Sequence, residues 1–266
     1  MLIDVHVHSQ FSFDSEEKIG NYLQKTRSLG IPVIGFSEHY DYDAVLDGEN
    51  IAPCDIPAYK QVLYELRAAG CSPEVLCGIE FGYRDFAVEH YRRLIDRYDF
   101  DYVINSVHTL AGRGDCFHEA FFAGRTLEES YLAYFKAVLE SVRADFDFQI
   151  VGHIGYVSRY RSGENAKITF EKYGGLLDEI LKCIIARDKC LEINAYIGKT
   201  DGLSLPDTDV IIRYLELGGK KMSFGSDAHT AGDYLRKSTE ITSFLKSVGV
   251  EELYYYKQRK PIAYKI

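Results

Sequence analysis

The segment Asp4-Val5-His6-Val7-His8 constrains the chain most, because it places three side chains of metal-binding type at alternate positions. Side chains alternate between the two faces of a β-strand, so a strand here would point Asp4, His6 and His8 the same way. Buried polar groups cost free energy unless they have partners. A metal ion would be such a partner, whereas an edge strand would expose the same residues to water. The segment alone leaves both interpretations open.

Short runs of β-branched and aromatic residues alternate with longer amphipathic segments along the whole chain. The predicted strands are residues 2–7, 32–37, 75–79, 101–107, 149–153, 190–194 and 222–226. The predicted helices are residues 16–29, 57–69, 86–97, 127–144, 170–187 and 206–217, with a seventh near 233–247. This alternation is typical of parallel βαβ units. Because no repeat or linker interrupts it, we predict a single domain over residues 1–266.

Residues of metal-binding type end or follow six of the seven predicted strands. In chain order they are His8, His39, Glu80, His108, His153, Asp227 and His229. The carboxyl ends of strands form a line in an open sheet, whereas in a barrel they surround a single mouth. Each residue alone would more often be an ordinary polar side chain, but chance would seldom place all of them at the same strand end. The pattern therefore predicts an α/β barrel with a metal site at the C-terminal ends of its strands.

Five imidazoles and several carboxylates exceed what a single zinc ion needs, so the site is predicted to hold more than one ion. Mixed histidine and carboxylate ligands suit zinc, manganese or iron. Glu80 lies in the middle of the set and is suited to bridge two ions about 3.5–4 Å apart, the spacing of two-metal hydrolases. His90 falls within a predicted helix and His118 within a loop, so we predict no metal role for them.

The composition argues against several classes of partner. A net charge of -9 and a pI near 5.4 disfavour nucleic acid, which usually requires a basic surface. No apolar stretch is long enough to span a membrane, and the N-terminus lacks the apolar core of a signal peptide. Six cysteines without a Cys-x-x-Cys pair suggest a reducing compartment. We therefore predict a cytoplasmic protein with no membrane partner; no feature predicts an oligomeric state.

Three basic residues are candidates for binding phosphate. Arg159 and Arg161 lie in the loop after the fifth predicted strand, and Lys199 lies in the loop after the sixth. Both loops would open onto the same barrel mouth, where an arginine can bind two phosphate oxygens at once. The alternative, that they are ordinary solvated loop residues, stays open, most of all for Arg161 and Lys199.

The ordered motifs of the chain resemble those of the PHP (polymerase and histidinol phosphatase) superfamily. They are Asp4-x-His6-x-His8, Glu38-His39, Gly78-Ile79-Glu80, Ser106-Val107-His108, Gly152-His153 and Ser226-Asp227-Ala228-His229. The resemblance implies a distorted TIM-like (β/α)7 barrel. Within the superfamily the chain is most similar to monofunctional histidinol-phosphate phosphatases, on the basis of its length, Arg159-Tyr160-Arg161, Glu192-Ile193-Asn194 leading to Lys199, and residues 254–261.

The resemblance also implies a role for each motif residue. His6, His8, Glu80 and Asp227 would hold one divalent ion. Glu80, His108 and His153 would hold a second, and Asp14, His39 and His229 a third. Asp4 would orient a ligand imidazole through the other ring nitrogen. Two to three ions of zinc, manganese or iron are thus expected.

The implied activity is hydrolysis of L-histidinol phosphate, a small phosphate ester, with Glu80 and Arg159 as catalytic residues and Arg159, Arg161 and Lys199 contacting phosphate. A PHP-type nuclease or general phosphoesterase, acting on nucleotides or DNA ends, is the alternative, although the acidic composition counts against it. An amidohydrolase would usually supply a bridging lysine from strand four, where this chain has Ser106-Val107-His108. An inactive metal-binding scaffold would require a lost ligand, and the motifs lack none.

Overall fold

Helices and strands alternate in the computed structural model, which describes residues 2–46, 49–163, 166–195 and 202–266. The described helices are α1 (Ile19–Ser28), α2 (Ile56–Ala68), α3 (Val88–Arg97), α4 (Leu127–Arg143), α5 (Phe170–Ala186), α6 (Thr208–Glu216) and α7 (Ser238–Ser247). Each corresponds to a predicted helix. Local sequence fixes some of their ends: Thr126 and Glu129 form a reciprocal capping box at the start of α4, and Asp55 caps α2. Among the described residues, every helix is too short or too polar to cross a lipid bilayer.

The strands form one curved sheet and three small hairpins. In chain order they are β1 (Val33–Tyr40), β2 (Val45–Leu46), β3 (Glu49–Asn50), β4 (Glu74–Gly82), β5 (Tyr102–Ser106), β6 (Thr109–Leu110), β7 (Gly114–Asp115), β8 (Ile150–Val151), β9 (Cys190–Ala195), β10 (Ser204–Leu205), β11 (Met222–Gly225), β12 (Glu252–Lys257) and β13 (Lys260–Lys265). The large sheet runs β1-β4-β5-β8-β9, and β11 continues it beside β9. These neighbours are all parallel, whereas β10 pairs antiparallel with β9.

The N-terminal segment joins the two ends of this sheet. On one side, residues 5–8 exchange backbone hydrogen bonds with residues 224–228. On the other side, the N–H groups of Gly35 and Ser37 donate to the carbonyls of Asp4 and Val7. The strand predicted at residues 2–7 is present only as two isolated parallel bridges, because the segment divides its few hydrogen bonds between two neighbours. It nevertheless closes the ring, and the predicted distorted TIM-like barrel is confirmed.

A C-terminal hairpin that sequence reasoning did not predict packs across the amino ends of the strands. It is formed by β12 and β13. Tyr264 accepts a hydrogen bond from the N–H of Ile3 at 3.0 Å, and Asp101 accepts one from the N–H of Gln258 at the same distance. Tyr256 joins the apolar cluster at that end of the ring. The hairpin therefore covers this end of the barrel, and the polar strand ends lie at the other.

The ring interior needs glycine at two positions. Tyr102 fills the space between β1 and β4, and its hydroxyl donates to the Phe36 carbonyl at 3.1 Å. A Cβ atom at Gly35 would lie 2.3 Å from the Tyr102 hydroxyl oxygen, and one at Gly78 would lie 2.2 Å from its ring. Real Cβ contacts are never so short, so these two glycines make room for the buried tyrosine.

Candidate metal centre

The nine residues predicted as metal ligands lie together at the carboxyl ends of the strands. They are His6, His8, Asp14, His39, Glu80, His108, His153, Asp227 and His229. Strand register brings them together: His39 in β1 lies opposite Glu80 in β4, and paired residues of neighbouring parallel strands point to the same face. His108 and His153 come just after β5 and β8.

Glu80 is at the centre of the cluster and is fully buried. Its Oε1 atom lies 2.9 Å from His153 Nε2 and 3.2 Å from His108 Nε2. Its Oε2 atom lies 3.3 Å from His6 Nε2 and 3.6 Å from His8 Nε2. Oε2 is closest to His39 Nδ1, at 2.8 Å. Oε1 thus faces two imidazoles and Oε2 faces three, so both oxygens are placed as a bridging carboxylate requires.

Asp227 completes the group around His6 and His8. Its Oδ1 atom lies 3.1 Å from His8 Nε2 and 3.7 Å from His6 Nε2. Its backbone has a φ of 53°, a left-handed conformation that is uncommon for a residue with a Cβ atom. The Asp227 N–H donates to the His6 carbonyl at 2.8 Å, which helps to hold this conformation. The strained turn after β11 therefore aims the carboxylate at the first motif.

The remaining candidate ligands lie nearer to solvent. Asp14 Oδ2 is 3.1 Å from His229 Nε2 and 3.6 Å from His39 Nε2. The Asp14 and His229 side chains are 38% and 28% exposed, whereas that of Glu80 is fully buried. An ion held by these three residues would exchange with solvent more readily than one held at Glu80.

Unpartnered polar atoms test whether these residues suit a cation. His6 Nε2, His8 Nε2 and Glu80 Oε2 are buried and have no hydrogen-bond partner. Such atoms cost free energy when they are left unpaired, and a bound cation would satisfy all three. Among the residues that the structure describes, four groups have their ligand atoms within 4.8 Å of one another: His6–His8–Glu80, His6–His153–Asp227, His39–Glu80–His108 and His8–His39–His229. The donor set therefore fits divalent metal ions.

The ionisable groups strongly shift one another's pKa values. Burial lowers the pKa of His6, but the Glu192 and Glu80 carboxylates outweigh it and hold that pKa well above its ordinary value. Burial and two neighbouring imidazoles hold the pKa of His8 well below its ordinary value. Burial raises the pKa of Glu80, yet the surrounding imidazoles hold it well below its usual range. A metal ion must displace the proton on His6, so its binding weakens as the pH falls.

Glu192, in β9, supports the cluster and was not predicted as a site residue. Its fully buried carboxylate contacts His6 Nδ1 through Oε1 at 2.5 Å and accepts the N–H of His153 through Oε2 at 2.6 Å. A Cβ atom at Gly225 would lie 2.2 Å from Glu192 Oε1, so that glycine makes room for the carboxylate. Glu192 therefore fixes one imidazole and the backbone of another candidate ligand. The available signal was a lone charge within the apolar run of a predicted strand.

Two other imidazoles have similar partners. His108 Nδ1 lies 2.9 Å from Asp41 Oδ1, and His8 Nδ1 lies 3.1 Å from Ser12 Oγ. These contacts direct the opposite ring nitrogen, Nε2, toward Glu80 or Asp227. Asp41 was also not predicted as a site residue. It lies directly after β1 and two residues after His39, the same alternate spacing as in the first motif.

The predicted role of Asp4 is wrong. Its Oδ1 atom accepts backbone N–H groups from His6 at 3.1 Å and from Ser226 at 3.0 Å. Asp4 was expected to contact a ligand imidazole, but the Nδ1 atoms of the nearby His6 and His8 contact Glu192 and Ser12 instead. Asp4 thus joins the backbone of the first segment to that of the last predicted strand end. Because the first segment is not a regular strand, its N–H groups are available to a side chain.

The three predicted phosphate-binding residues have different outcomes. Arg159 is buried at the cluster, where its Nη2 atom donates to Asp227 Oδ2 at 2.6 Å and to Asn194 Oδ1 at 3.1 Å. Arg161 has other partners, which do not favour its predicted role: its guanidinium lies 4.1 Å above the Phe122 ring and pairs with Glu119 at 2.8 Å. Lys199 lies outside the described residues.

A cavity opens above the cluster. Several of the candidate ligands form its floor, including His39, His108, His153, Asp227 and His229. The rest of its wall comes mainly from loops and includes Phe13, Asp115, Tyr156, Arg159 and Tyr160. A small molecule here would meet the metal ligands on one side and aromatic rings on the other.

Replacing Glu192 with alanine should weaken metal binding by about 10- to 100-fold, the usual effect of removing a group that orients a ligand. Glu192→Gln keeps one of the two acceptor oxygens, so it should lose less metal affinity than Glu192→Ala. Competition with a chelator measures the affinity. Asp101→Ala is the control, because Asp101 is a buried carboxylate at the opposite end of the barrel. Equal losses in the Glu192→Ala and Asp101→Ala variants would contradict a specific role for Glu192.

Two relatives match nearly the whole chain. A Lactococcus lactis protein named "Histidinol-phosphatase" is 29% identical over 94% of this chain and 93% of its own length. A Clostridium acetobutylicum protein named "Probable histidinol-phosphatase" is 31% identical over 86% of this chain and 87% of its own. The likeness to both proteins therefore extends over most of each chain, well beyond any single motif.

Two solved structures share the fold. Histidinol phosphate phosphatase from Lactococcus lactis, complexed with zinc, L-histidinol and phosphate, matches with a TM-score of 0.88 at 28% identity and covers 98% of both chains. A Listeria monocytogenes structure matches with a TM-score of 0.78 at 21% identity over 89% of this chain and 98% of its own, and bears on the fold alone. The PHP domain model matches residues 4–196, and the ordered motifs, the barrel and these relatives agree with it: the chain belongs to the PHP domain family.

Proposed function

We propose that this chain is a metal-dependent phosphatase that converts L-histidinol phosphate and water to L-histidinol and inorganic phosphate, a reaction of histidine biosynthesis. One observation carries the proposal: the two oxygens of a fully buried glutamate face His153 and His39, which line a cavity whose wall also includes Arg159. The similarity to a phosphatase complexed with zinc, L-histidinol and phosphate supports this choice of substrate.

The proposal assigns two to three divalent ions, of zinc, manganese or iron, to three ligand groups, the first two of which share Glu80. His6, His8, Glu80 and Asp227 would hold the first, and Glu80, His108 and His153 the second. Asp14, His39 and His229 would hold the third. Bound ions of this kind lower the pKa of water and neutralise phosphate charge. The short contacts of Glu80 and Asp227 with these imidazoles support the grouping.

The protein's own contribution is to position the reacting groups. In the reaction a water oxygen bonds to phosphorus while the bond from phosphorus to the histidinol oxygen breaks, and the released alkoxide takes up a proton. Arg159 is held by Asp227 and Asn194 on the cavity wall, so its positive charge faces the space above the floor. There it would stabilise the phosphate oxygens as their charge shifts. Lys199 stays a predicted second cation for the same group.

The proposal also covers the cellular compartment of the protein and its domain organisation. All six cysteines are free thiols, which is in keeping with a reducing compartment and supports a cytoplasmic enzyme. We also treat residues 1–266 as one PHP domain. The C-terminal hairpin supports this, because it packs against the start of the chain.

Phosphate release from L-histidinol phosphate tests the proposal, with elemental analysis of the same sample. Protein stripped by a chelator should be inactive, and zinc, manganese or iron should restore turnover. Stripping should also lower the melting temperature, since ions that bind only the folded chain stabilise it by about 4 kcal/mol at 1,000 times their Kd. His90→Ala is a matched control, because His90 lies on α3 outside the cluster. Absence of turnover with all three metals would contradict the proposal, and stronger 3′-exonuclease activity would favour a nuclease.

A further inference from the structure

We propose that Asp115 is a specificity residue, which pairs with a positively charged group on the organic part of the phosphate ester. This inference rests on the proposed function, in which the partner would be the ammonium group of L-histidinol phosphate. It adds a recognition element to a site otherwise built for phosphate and metal. Asp115 lies in the cavity wall with a fixed orientation, and among the described residues it forms no ion pair.

The chain positions Asp115 beside a candidate metal ligand. The hairpin of β6 and β7 begins directly after His108 and returns to it, with Asp115 opposite Thr109. The next residue, Cys116, donates its N–H to the His108 carbonyl at 3.0 Å. Asp115 also lines the cavity. Its carboxylate is therefore tied to the metal centre through the backbone.

The carboxylate also has a fixed direction. Asp115 Oδ1 accepts the N–H of Phe117 at 2.7 Å and lies 3.4 Å from the Tyr156 hydroxyl. The Tyr156 ring centroid is 5.3 Å from that of His108 and 5.2 Å from that of His153. One phenol ring thus separates the carboxylate from two candidate ligands. This spacing suits a short ester whose charged amine is a few bonds from its phosphate.

The other carboxylates that line the cavity have cationic partners. Three other aspartates line the cavity and form ion pairs with imidazoles: Asp14, Asp41 and Asp227. Asp227 also pairs with Arg159. Within the described ranges Asp115 forms no ion pair. Burial raises its pKa, and His108, the Phe117 N–H and His118 together offset that effect only in part. A charged carboxylate in this setting is stabilised by a cation that arrives with the ligand.

The surrounding rings favour an organic group over water. Tyr160 lines the same wall, and Phe117 packs edge-on against it with ring centroids 4.6 Å apart. Phe13 lies on the wall beside His39, with 5.4 Å between the two ring centroids, and is 43% exposed. A substrate with an apolar or aromatic body and one cation would fill this space, with its phosphate toward Arg159 and its amine toward Asp115.

Asp115→Asn tests the inference, because it removes the charge and keeps the shape. The kcat/KM for L-histidinol phosphate, divided by that for p-nitrophenyl phosphate, should fall by about 10- to 150-fold, the effect of losing a charge-assisted hydrogen bond. The loss should fall mainly on KM, since the amine lies away from the reacting atoms. Inhibition by L-histidinol should weaken, whereas inhibition by inorganic phosphate should not. Asp96→Asn removes an equal charge from an exposed position of α3 and should leave the ratio unchanged.

An unchanged ratio in Asp115→Asn would overturn the inference. Loss of bound metal or of the folded circular dichroism spectrum would also overturn it, because Asp115 would then be a structural residue. Failure of the proposed function has a different signature: wild-type protein would hydrolyse p-nitrophenyl phosphate but not L-histidinol phosphate. In that case the test compares kcat/KM for O-phosphoethanolamine with that for ethyl phosphate, two esters that differ by an ammonium group. Asp115→Asn should then abolish any preference for the charged member of the pair.

Discussion

Glu80→Ala should remove at least two metal ions and lower kcat/KM by about 1,000-fold or more, since a bridging ligand supplies several kcal/mol and 1.36 kcal/mol is tenfold. The reason is geometric. Oε1 and Oε2 of Glu80 face separate groups of imidazoles, so one substitution removes an oxygen from both groups. It also takes the central carboxylate away from five buried imidazoles. Elemental analysis and phosphate release on the same preparation measure the two losses.

A matched control for Glu80→Ala lies on the same strand. Glu74 begins β4 at the opposite end of the barrel, where it pairs with Lys257 on the C-terminal hairpin. Glu74→Ala should therefore keep its metal ions and its activity. Glu80→Gln keeps the shape but not the charge, so it should fall between alanine and wild type. A Glu80→Ala protein that retained its full metal content would rule out the bridging role.

Strand order made the convergence of the candidate ligands predictable from sequence. In a parallel barrel every strand ends at the same mouth, so residues that follow strands converge whatever their distance along the chain. His8 and Asp227 are far apart in sequence, yet their side chains lie 3.1 Å apart. This inference needs only the strand ends, to within a few residues. It does not need the loops.

Residues whose role depends on side-chain direction were not predictable in the same way. Arg159 and Arg161 are two positions apart in one loop, and both were predicted to have the same role. The intervening turn sends one to Asp227 and the other to Glu119 and the Phe122 ring. Glu192 was missed for a related reason, because a charge inside an apolar strand reveals its partner only after folding brings His6 alongside. Side-chain direction in irregular backbone comes from tertiary packing, which periodicity does not encode.

Arg159→Ala should lower kcat by about 100- to 1,000-fold, the usual effect of removing one donor that stabilises developing charge. At saturating metal the variant should keep its ions, since Asp227 Oδ1 still lies beside the ring nitrogens of His8 and His6. Metal affinity should nonetheless fall, because Asp227 Oδ2 loses the guanidinium that holds it. Arg159→Lys restores a charge but not the two-acceptor contact with Asp227 and Asn194, so it should recover only part of the rate.

The pH dependence of Arg159→Ala separates its two effects. Burial raises the pKa of Asp227, but Arg159 and the nearby imidazoles hold it well below its usual range. Without Arg159 that pKa rises, so protons compete with metal at higher pH and ion loss on acidification begins earlier than in wild type. Arg161→Ala is the matched control from the same loop and should shift neither the rate nor this pH. Full activity in Arg159→Ala would show that phosphate is held by other residues. Equal losses in both variants would show that the effect is not specific to Arg159.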